Sequence, residues 1–209
     1  MKNRHLPVLL WGAALFIAFI FFSFLVYKNL FIQLDLTTTA RFQNRIPELF
    51  VTPFSVLSLV GSVEITSVLL LILVVMLKKL RTIFVLLFFG LIHLIELFGK
   101  VFVGHPGPPF MFHRYDLGFS FPSSYVQLGS SYPSGHLART MFILVIVFLL
   151  TRRSKKLSKE NKNLIYLFTL VFGVAMFASR IYLGEHWLSD VIGGSLLGLA
   201  LGALSFIFI

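Results

Sequence analysis

Six stretches of this chain are apolar on every side. They run near residues 6–27, 55–77, 82–99, 134–151, 163–180 and 187–208, and none shows the polar face of a helix that rests against a soluble core. A helix needs about 20 mostly apolar residues to cross the ~30 Å hydrocarbon layer of a bilayer. The first stretch, Leu6 to Tyr27, meets that requirement without one charge. It is too long for the apolar core of a signal peptide and has no small-residue cleavage site, so it reads as a retained span. The pattern predicts an all-α polytopic membrane protein, a bundle of six transmembrane helices forming a single domain over residues 1–209.

Two connections depart from the apolar pattern. Segment 28–54 mixes apolar and charged residues and carries Pro47 and Pro53, which predicts a short amphipathic helix lying at the outer interface. Segment 100–133 is rich in Pro, Gly, Ser and aromatic residues. A connection of that length is usually mobile or functional.

Composition supports lipid as the solvent. The chain is 57% hydrophobic and 12% charged, with a mean hydropathy of +0.92, and a soluble domain could not coat such a core. The net charge of +10 would suit a nucleic-acid partner, but its placement argues against one. Basic residues gather at Lys2 and Arg4, at Lys78, Lys79 and Arg81, and from Arg152 to Lys162, each cluster abutting a span. This is the positive-inside pattern, and it puts both termini in the cytoplasm. Connections 28–54, 100–133 and 181–186 then share the extracytoplasmic face. Of the eight acidic residues only Glu160 lies among the inner basic clusters. The chain has no cysteine, which excludes disulfide and thiolate chemistry.

The outer face collects ionisable groups from three distant segments. Lys100 follows the third span, "YPSGH" (Tyr132–His136) opens the fourth, and "SRIYLGEHWLSD" (residues 179–190) joins the fifth to the sixth. His186 and Asp190 are four apart, so on a helix they share a face; the carboxylate would fix the imidazole tautomer and leave the other nitrogen free to react. Ser134 and Gly135 precede a helix whose free N–H groups favour an anion. Arg180 and Lys100 add fixed positive charge, and arginine grips phosphate oxygens in bidentate fashion. Two histidines beside cationic anion ligands describe phosphoryl transfer, one histidine as nucleophile and the other as acid for the leaving oxygen.

Pro133-Ser134-Gly135-His136, followed by Ser179-Arg180-x5-His186-x3-Asp190, resembles two of the three signature motifs of the phosphatidic-acid phosphatase type 2 superfamily. The resemblance implies metal-independent, cofactor-free dephosphorylation of a lipid phosphate or diphosphate through a phosphohistidine. His186 would be the nucleophile, Asp190 its orienting partner and His136 the general acid. Ser134, Gly135, Arg180 and Lys100 would hold the phosphate. The substrate would be of the phosphatidic acid, phosphatidylglycerol phosphate or polyprenyl diphosphate type, met in a cell membrane among other lipids. The third family motif, Lys-x6-Arg-Pro, departs: here Lys100 is followed by "VFVGHP" and then Gly107-Pro108. Arg139, Arg114 and His105 are the candidate replacement charges, and Arg139 lies one turn beyond His136 on the same helical face.

Several polar residues invite other readings. His93 and Glu96 are three apart but make no metal site by themselves; they and Glu64 read as polar groups facing the bundle interior. Glu185 either tunes the site or is a solvated loop charge. Trp187 and Tyr182 fit an interfacial aromatic belt. Two alternatives to hydrolysis remain: a phosphotransferase of the same superfamily, and a non-enzymatic phospholipid carrier, which would not need the His186–Asp190 spacing.

Overall fold

The computed structural model describes residues 5–118 and 129–209, so Lys2 and Arg4 of the first basic cluster lie outside the described residues. Eight α-helices account for the architecture. They are α1 (Leu6–Tyr27), α2 (Ile32–Arg45), α3 (Val51–Val60), α4 (Val63–Leu77), α5 (Phe84–Phe102), α6 (Gly135–Arg153), α7 (Lys159–Tyr182) and α8 (Leu188–Ser205). Short 3-10 turns extend α5 at its start and α8 at its end. No strand occurs among the described residues. Five helical stretches are long and apolar enough to cross a membrane, and six if α3 and α4 form one bent span.

The bend is a correction to the sequence reading, which expected one continuous helix over 55–77. The chain turns by 51° between α3 and α4. Its cause is the Gly61-Ser62 pair: Ser62 is extended and caps α4, its hydroxyl accepting from the Ile65 N–H at 3.3 Å. The break releases the Gly61 carbonyl, which accepts a hydrogen bond from Arg139 Nε at 3.3 Å. Glu64, expected to face the bundle, is exposed in the first turn of α4, within electrostatic range of buried Arg139.

Helix α8 is the axis of the bundle, packed on α1 and α6 and touching α5. Its sequence permits this because small residues sit where neighbours approach. A β-carbon at Gly194 or Gly198 would overlap the carbonyls of Ser134 and Ala138 on α6, so the two backbones close to a distance that only glycine allows. Outer residues of α1, such as Leu10, Trp11, Ile17 and Phe21, stay exposed, as expected for a lipid-facing surface.

The amphipathic helix expected at the outer interface is α2, but its sides are reversed relative to a soluble helix. Its buried residues are Asp35, Thr39 and Gln43, spaced by four, while Ile32, Leu34 and Leu36 are exposed. The polar stripe faces protein because the groups beneath it need hydrogen bonds: Gln43 donates to the carbonyls of Phe112 and Tyr182, at 2.6 and 2.9 Å.

The two ends of the bundle differ in chemistry. At one end Arg153 lies 3.1 Å from His5 and stacks over Phe206, and Lys79 donates to the Ile209 carbonyl at 2.7 Å. The start of α1, the end of α6, the α4–α5 turn and the end of α8 therefore meet there. The ends bearing Lys100, Ser134, Arg180 and Asp190 lie at the other.

The close α6–α8 approach can be tested with two glycines. Gly198→Ala should lower stability by about 1–3 kcal/mol, the range for overpacking a filled interior. Gly90→Ala, where a β-carbon meets nothing within 4 Å, should be neutral or slightly stabilising. Thermal unfolding of the two variants in detergent measures the difference; equal melting temperatures would contradict the packing account.

Candidate functional site

A main-chain bond joins the two signature segments. The N–H of Ser134, N-cap of α6, donates to the Asp190 carbonyl in the first turn of α8 at 3.0 Å. This bond sets "PSGH" against "HWLSD". His136 consequently lies within electrostatic range of Arg180, Arg139, His186 and Lys100, so the structure gathers these groups at one end of the bundle.

The geometry of His186 differs from the expected helical pair. Helix α8 begins at Leu188 with Trp187 as its N-cap, and His186 stands before the helix. Asp190 Oδ2 accepts from the Trp187 N–H at 2.9 Å, so the carboxylate first serves to close the helix start. His186 Nδ1 lies 3.6 Å from the same oxygen, beyond hydrogen-bond length. The loop holds His186 by its backbone, whose N–H donates to the Arg180 carbonyl at 3.3 Å.

Asp190 Oδ1 instead bonds His105 Nδ1 at 2.9 Å. The other ring nitrogen of His105 lies 3.8 Å from Asp35 Oδ2. Asp35 in turn accepts from the Ser189 N–H at 2.8 Å and the Ser189 hydroxyl at 2.7 Å. A buried row, Asp35–His105–Asp190, thus supports the start of α8. His105 belongs to this row and is no replacement phosphate ligand; two carboxylates claim it. Burial works against its charged form, but the Asp190 hydrogen bond and the Asp190 and Asp35 charges together outweigh that and hold its pKa above the ordinary 6.5. Asp35 is pushed the other way from a usual carboxylate, its pKa raised chiefly by burial.

The cations all carry partners. Arg180, 2% exposed, pairs with Glu185 and donates to Ser58 of α3. Glu185 is therefore part of the site and not a solvated loop charge. Lys100 lies in the last turn of α5, not beyond it, and its ammonium is 2.9 Å from Glu96. Arg139 reaches the other Glu96 oxygen at 2.9 Å, and His93 Nδ1 is 4.0 Å away. Glu96 faces the interior as expected, with partners the sequence had not assigned. Arg114 lies elsewhere: its guanidinium donates to the Gln43 carbonyl at 3.2 Å and sits 5.3 Å over the Tyr182 ring. Of the three candidate replacements only Arg139 is in the mouth beside His136.

Trp187 and Tyr182 are buried, which corrects the aromatic-belt reading. Trp187 Nε1 donates to the Pro106 carbonyl at 2.8 Å, and the Tyr182 hydroxyl donates to Pro47 at 3.0 Å. They hold the long connection and the loop after α2 against the α7–α8 corner. Sequence reasoning also missed Asp35 and Ser58. A polar stripe at spacing four through 35, 39 and 43 was the available signal for the first; a lone serine in an apolar span gave none for the second.

The site is open where chemistry would occur. His136 and His186 are partly exposed, whereas Ser134, Arg180 and Asp190 are buried. Among the described residues, Ser134 Oγ, Arg180 Nε and His186 Nδ1 have no hydrogen-bond partner. Such atoms are costly to bury unless a ligand meets them. No group of three or more His, Asp or Glu residues suited to a metal ion occurs among the described residues.

The sequence model of the PAP2 superfamily matches residues 68–209. Phosphatidylglycerophosphatase B of Bacillus subtilis (strain 168) is 40% identical over 72 residues, which are 34% of this chain and 35% of that protein. A crystal structure described as the first transmembrane PAP2 type phosphatidylglycerolphosphate phosphatase from Bacillus subtilis superposes with a TM-score of 0.75, covering 93% of each chain at 23% identity. The structure of Aquifex aeolicus LpxE gives a TM-score of 0.60 over 82% of this chain and 94% of that one, also at 23% identity. At those identities the structural likeness is one of fold.

The loop histidines make stability bell-shaped in pH. His105, with its raised pKa, contributes stability that is present below 6.5 and lost as pH rises through its folded value. His113 and His186, both lowered chiefly by burial, act oppositely: stability falls as pH drops below 6.5, because the folded state resists the proton. Melting temperature in detergent should therefore peak near pH 6.5. His105→Gln should flatten the alkaline limb and leave the acid limb; an unchanged alkaline limb would refute the His105 assignment.

Proposed function

The chain belongs to the PAP2 superfamily, and from that premise we propose that it is a multi-pass membrane phosphatase that hydrolyses a lipid phosphate or diphosphate at the extracytoplasmic face. The observation that carries the reading is the Ser134–Asp190 main-chain bond. It sets the acid, the nucleophile and the anion-binding helix end around one partly exposed space. The similar proteins, a phosphatidylglycerophosphatase B and a phosphatidylglycerolphosphate phosphatase, favour a phosphorylated glycerolipid of that kind as substrate.

In the proposed reaction, His186 Nε2 attacks phosphorus while the bond from phosphorus to the lipid oxygen breaks. His136 gives its proton to that departing oxygen. The new P–N bond is then cleaved by water, whose proton returns to His136, and inorganic phosphate leaves. Asp190 acts on His186 Nδ1, stabilising the cationic ring of the phosphohistidine. The separation of 3.6 Å must shorten for this, as catalytic hydrogen bonds commonly do once substrate binds. Burial lowers the His186 pKa, opposed by Asp190 and reinforced by Arg180 and Lys100. The nucleophile is therefore neutral, with its lone pair free, at neutral pH. Ser134 Oγ, the first N–H groups of α6, Arg180 and Lys100 would hold the phosphoryl oxygens. Lys, Arg and N–H donors supply that charge stabilisation without a metal.

Purified protein should release inorganic phosphate from lipid phosphates in excess chelator. His186→Ala should reduce turnover by several orders of magnitude, as removing one member of a jointly acting set does. His136→Ala should cost ~10²–10⁴-fold, with less loss for a nitrophenyl ester whose leaving group needs no proton. Near-normal turnover in His186→Ala, or a requirement for a divalent ion, would overturn the mechanism.

The basic residues at the opposite end of the bundle support placing the site at the outer face. Reporter fusions after Leu80 and after Ser158 should read cytoplasm, and a fusion after Gln43 should read the outside. The reverse pattern would put the site on the inner leaflet.

A further inference from the structure

Glu96 is a charged group of the mouth with no part in the reaction above. Its two oxygens accept from Lys100 and Arg139, each at 2.9 Å. The same carboxylate lies so close to Gly135 that a β-carbon there would overlap both oxygens. Gly135 is the first residue of α6, and its N-cap Ser134 is fully buried with a hydroxyl that has no partner. A helix start, a waiting hydroxyl and two cations make an anion-binding position, and a carboxylate of the protein already holds its two cations beside Gly135.

We propose that Glu96 is an internal stand-in for the substrate's phosphate, seated at the start of α6 while the site is empty and displaced from Lys100 and Arg139 when a phosphoryl group enters. The identity of the incoming anion rests on the phosphatase reading; the occupation of the position by Glu96 does not. A carboxylate that served only to neutralise Arg139 within the bilayer needed no contact with Gly135. Its placement there makes every incoming anion compete with it for the same donors. Free phosphate, with no tail to add binding energy, competes poorly and leaves readily. A lipid phosphate displaces Glu96 with energy drawn from its apolar chains. Glu96 therefore sets a preference for phosphates carried on lipids over small soluble ones.

The test is orthophosphate binding to the purified full-length protein in detergent, by calorimetry, with Glu96→Gln beside the wild type. The dissociation constant should fall at least tenfold in the variant. The KM for a short-chain phosphomonoester should fall with it, while KM for a long-chain substrate changes less. Damage to the fold would weaken binding, so the expected gain separates competition from a structural role. A folded variant whose phosphate affinity is unchanged or weaker overturns the proposal, as does the absence of binding in both proteins. Should Glu96→Gln fail to fold, Glu96→Asp keeps the charge and withdraws it by one methylene; tighter phosphate binding there supports the proposal, and equal or weaker binding sinks it. Calorimetry needs no turnover, so the two readings fail separately. An inert wild type whose phosphate affinity rises in Glu96→Gln would reject the phosphatase and keep the competitor. An active one with unchanged affinity would do the reverse.

Discussion

One fully buried carboxylate organises the site. Asp190 has no water to solvate it, and a buried anion survives only when its oxygens are met. Trp187 N–H and His105 satisfy it at 2.9 Å each, with His186 beyond them at 3.6 Å. Its own carbonyl receives the Ser134 N–H. The start of α8, the long connection carrying His105, the α7–α8 loop and the start of α6 are thereby fixed to one residue. Removing that carboxylate would loosen the start of α8, the α7–α8 loop and the long connection at once, while the bond to the start of α6 runs through the main chain of the same residue.

The demand for partners spreads outward from Asp190. His105 reaches Asp35, and Asp35 obliges α2 to turn its polar stripe towards protein and its leucines outward. Arg139 takes the carbonyl freed where the α3–α4 span breaks, so the bend supplies a hydrogen bond that a straight helix would have spent internally. Arg180 uses Ser58 and Glu185. Irregular backbone at this depth is tolerated because it lines a polar mouth and not the lipid. The positioning groups are buried and the two histidines are not, a division that suits rigid support around a reacting space.

The parts of the structure written in composition were readable from sequence. The first span was placed at Leu6–Tyr27, where α1 lies. The basic clusters that the structure describes meet at one end of the bundle, because spans of bilayer length and charge placement are both properties of single segments. What escaped the sequence depended on pairs. Nothing in Gly61-Ser62 alone distinguishes a break from a tolerated glycine until Arg139 claims the carbonyl. The i,i+4 spacing of His186 and Asp190 suggested one helical face, yet Trp187 starts the helix and Asp190 caps it, so the same spacing produced a different geometry. Trp187 and Tyr182 have interfacial chemistry but are buried under α2 and the long connection, a consequence of packing that no local pattern carries.

The glycine at position 107 gains meaning from this pairing. Its N–H donates to the Gly129 carbonyl at 2.9 Å, and a β-carbon there would meet only ordinary contacts at 3.5 and 3.6 Å. Packing at the β-position therefore does not exclude a side chain. Charge gives a better account. Glu96 and Glu185 already answer Lys100, Arg139 and Arg180. A further guanidinium without its own carboxylate would add unpaired positive charge and raise the affinity for any anion, including the product. With Arg139 drawn into the mouth by Gly61 and Glu96, the site keeps a guanidinium beside His136 while its strength stays tempered by a carboxylate at the helix start. On the proposed reading, the departure at Gly107 and the carboxylate at Glu96 act in the same direction, each limiting the unpaired positive charge that an entering phosphate would meet.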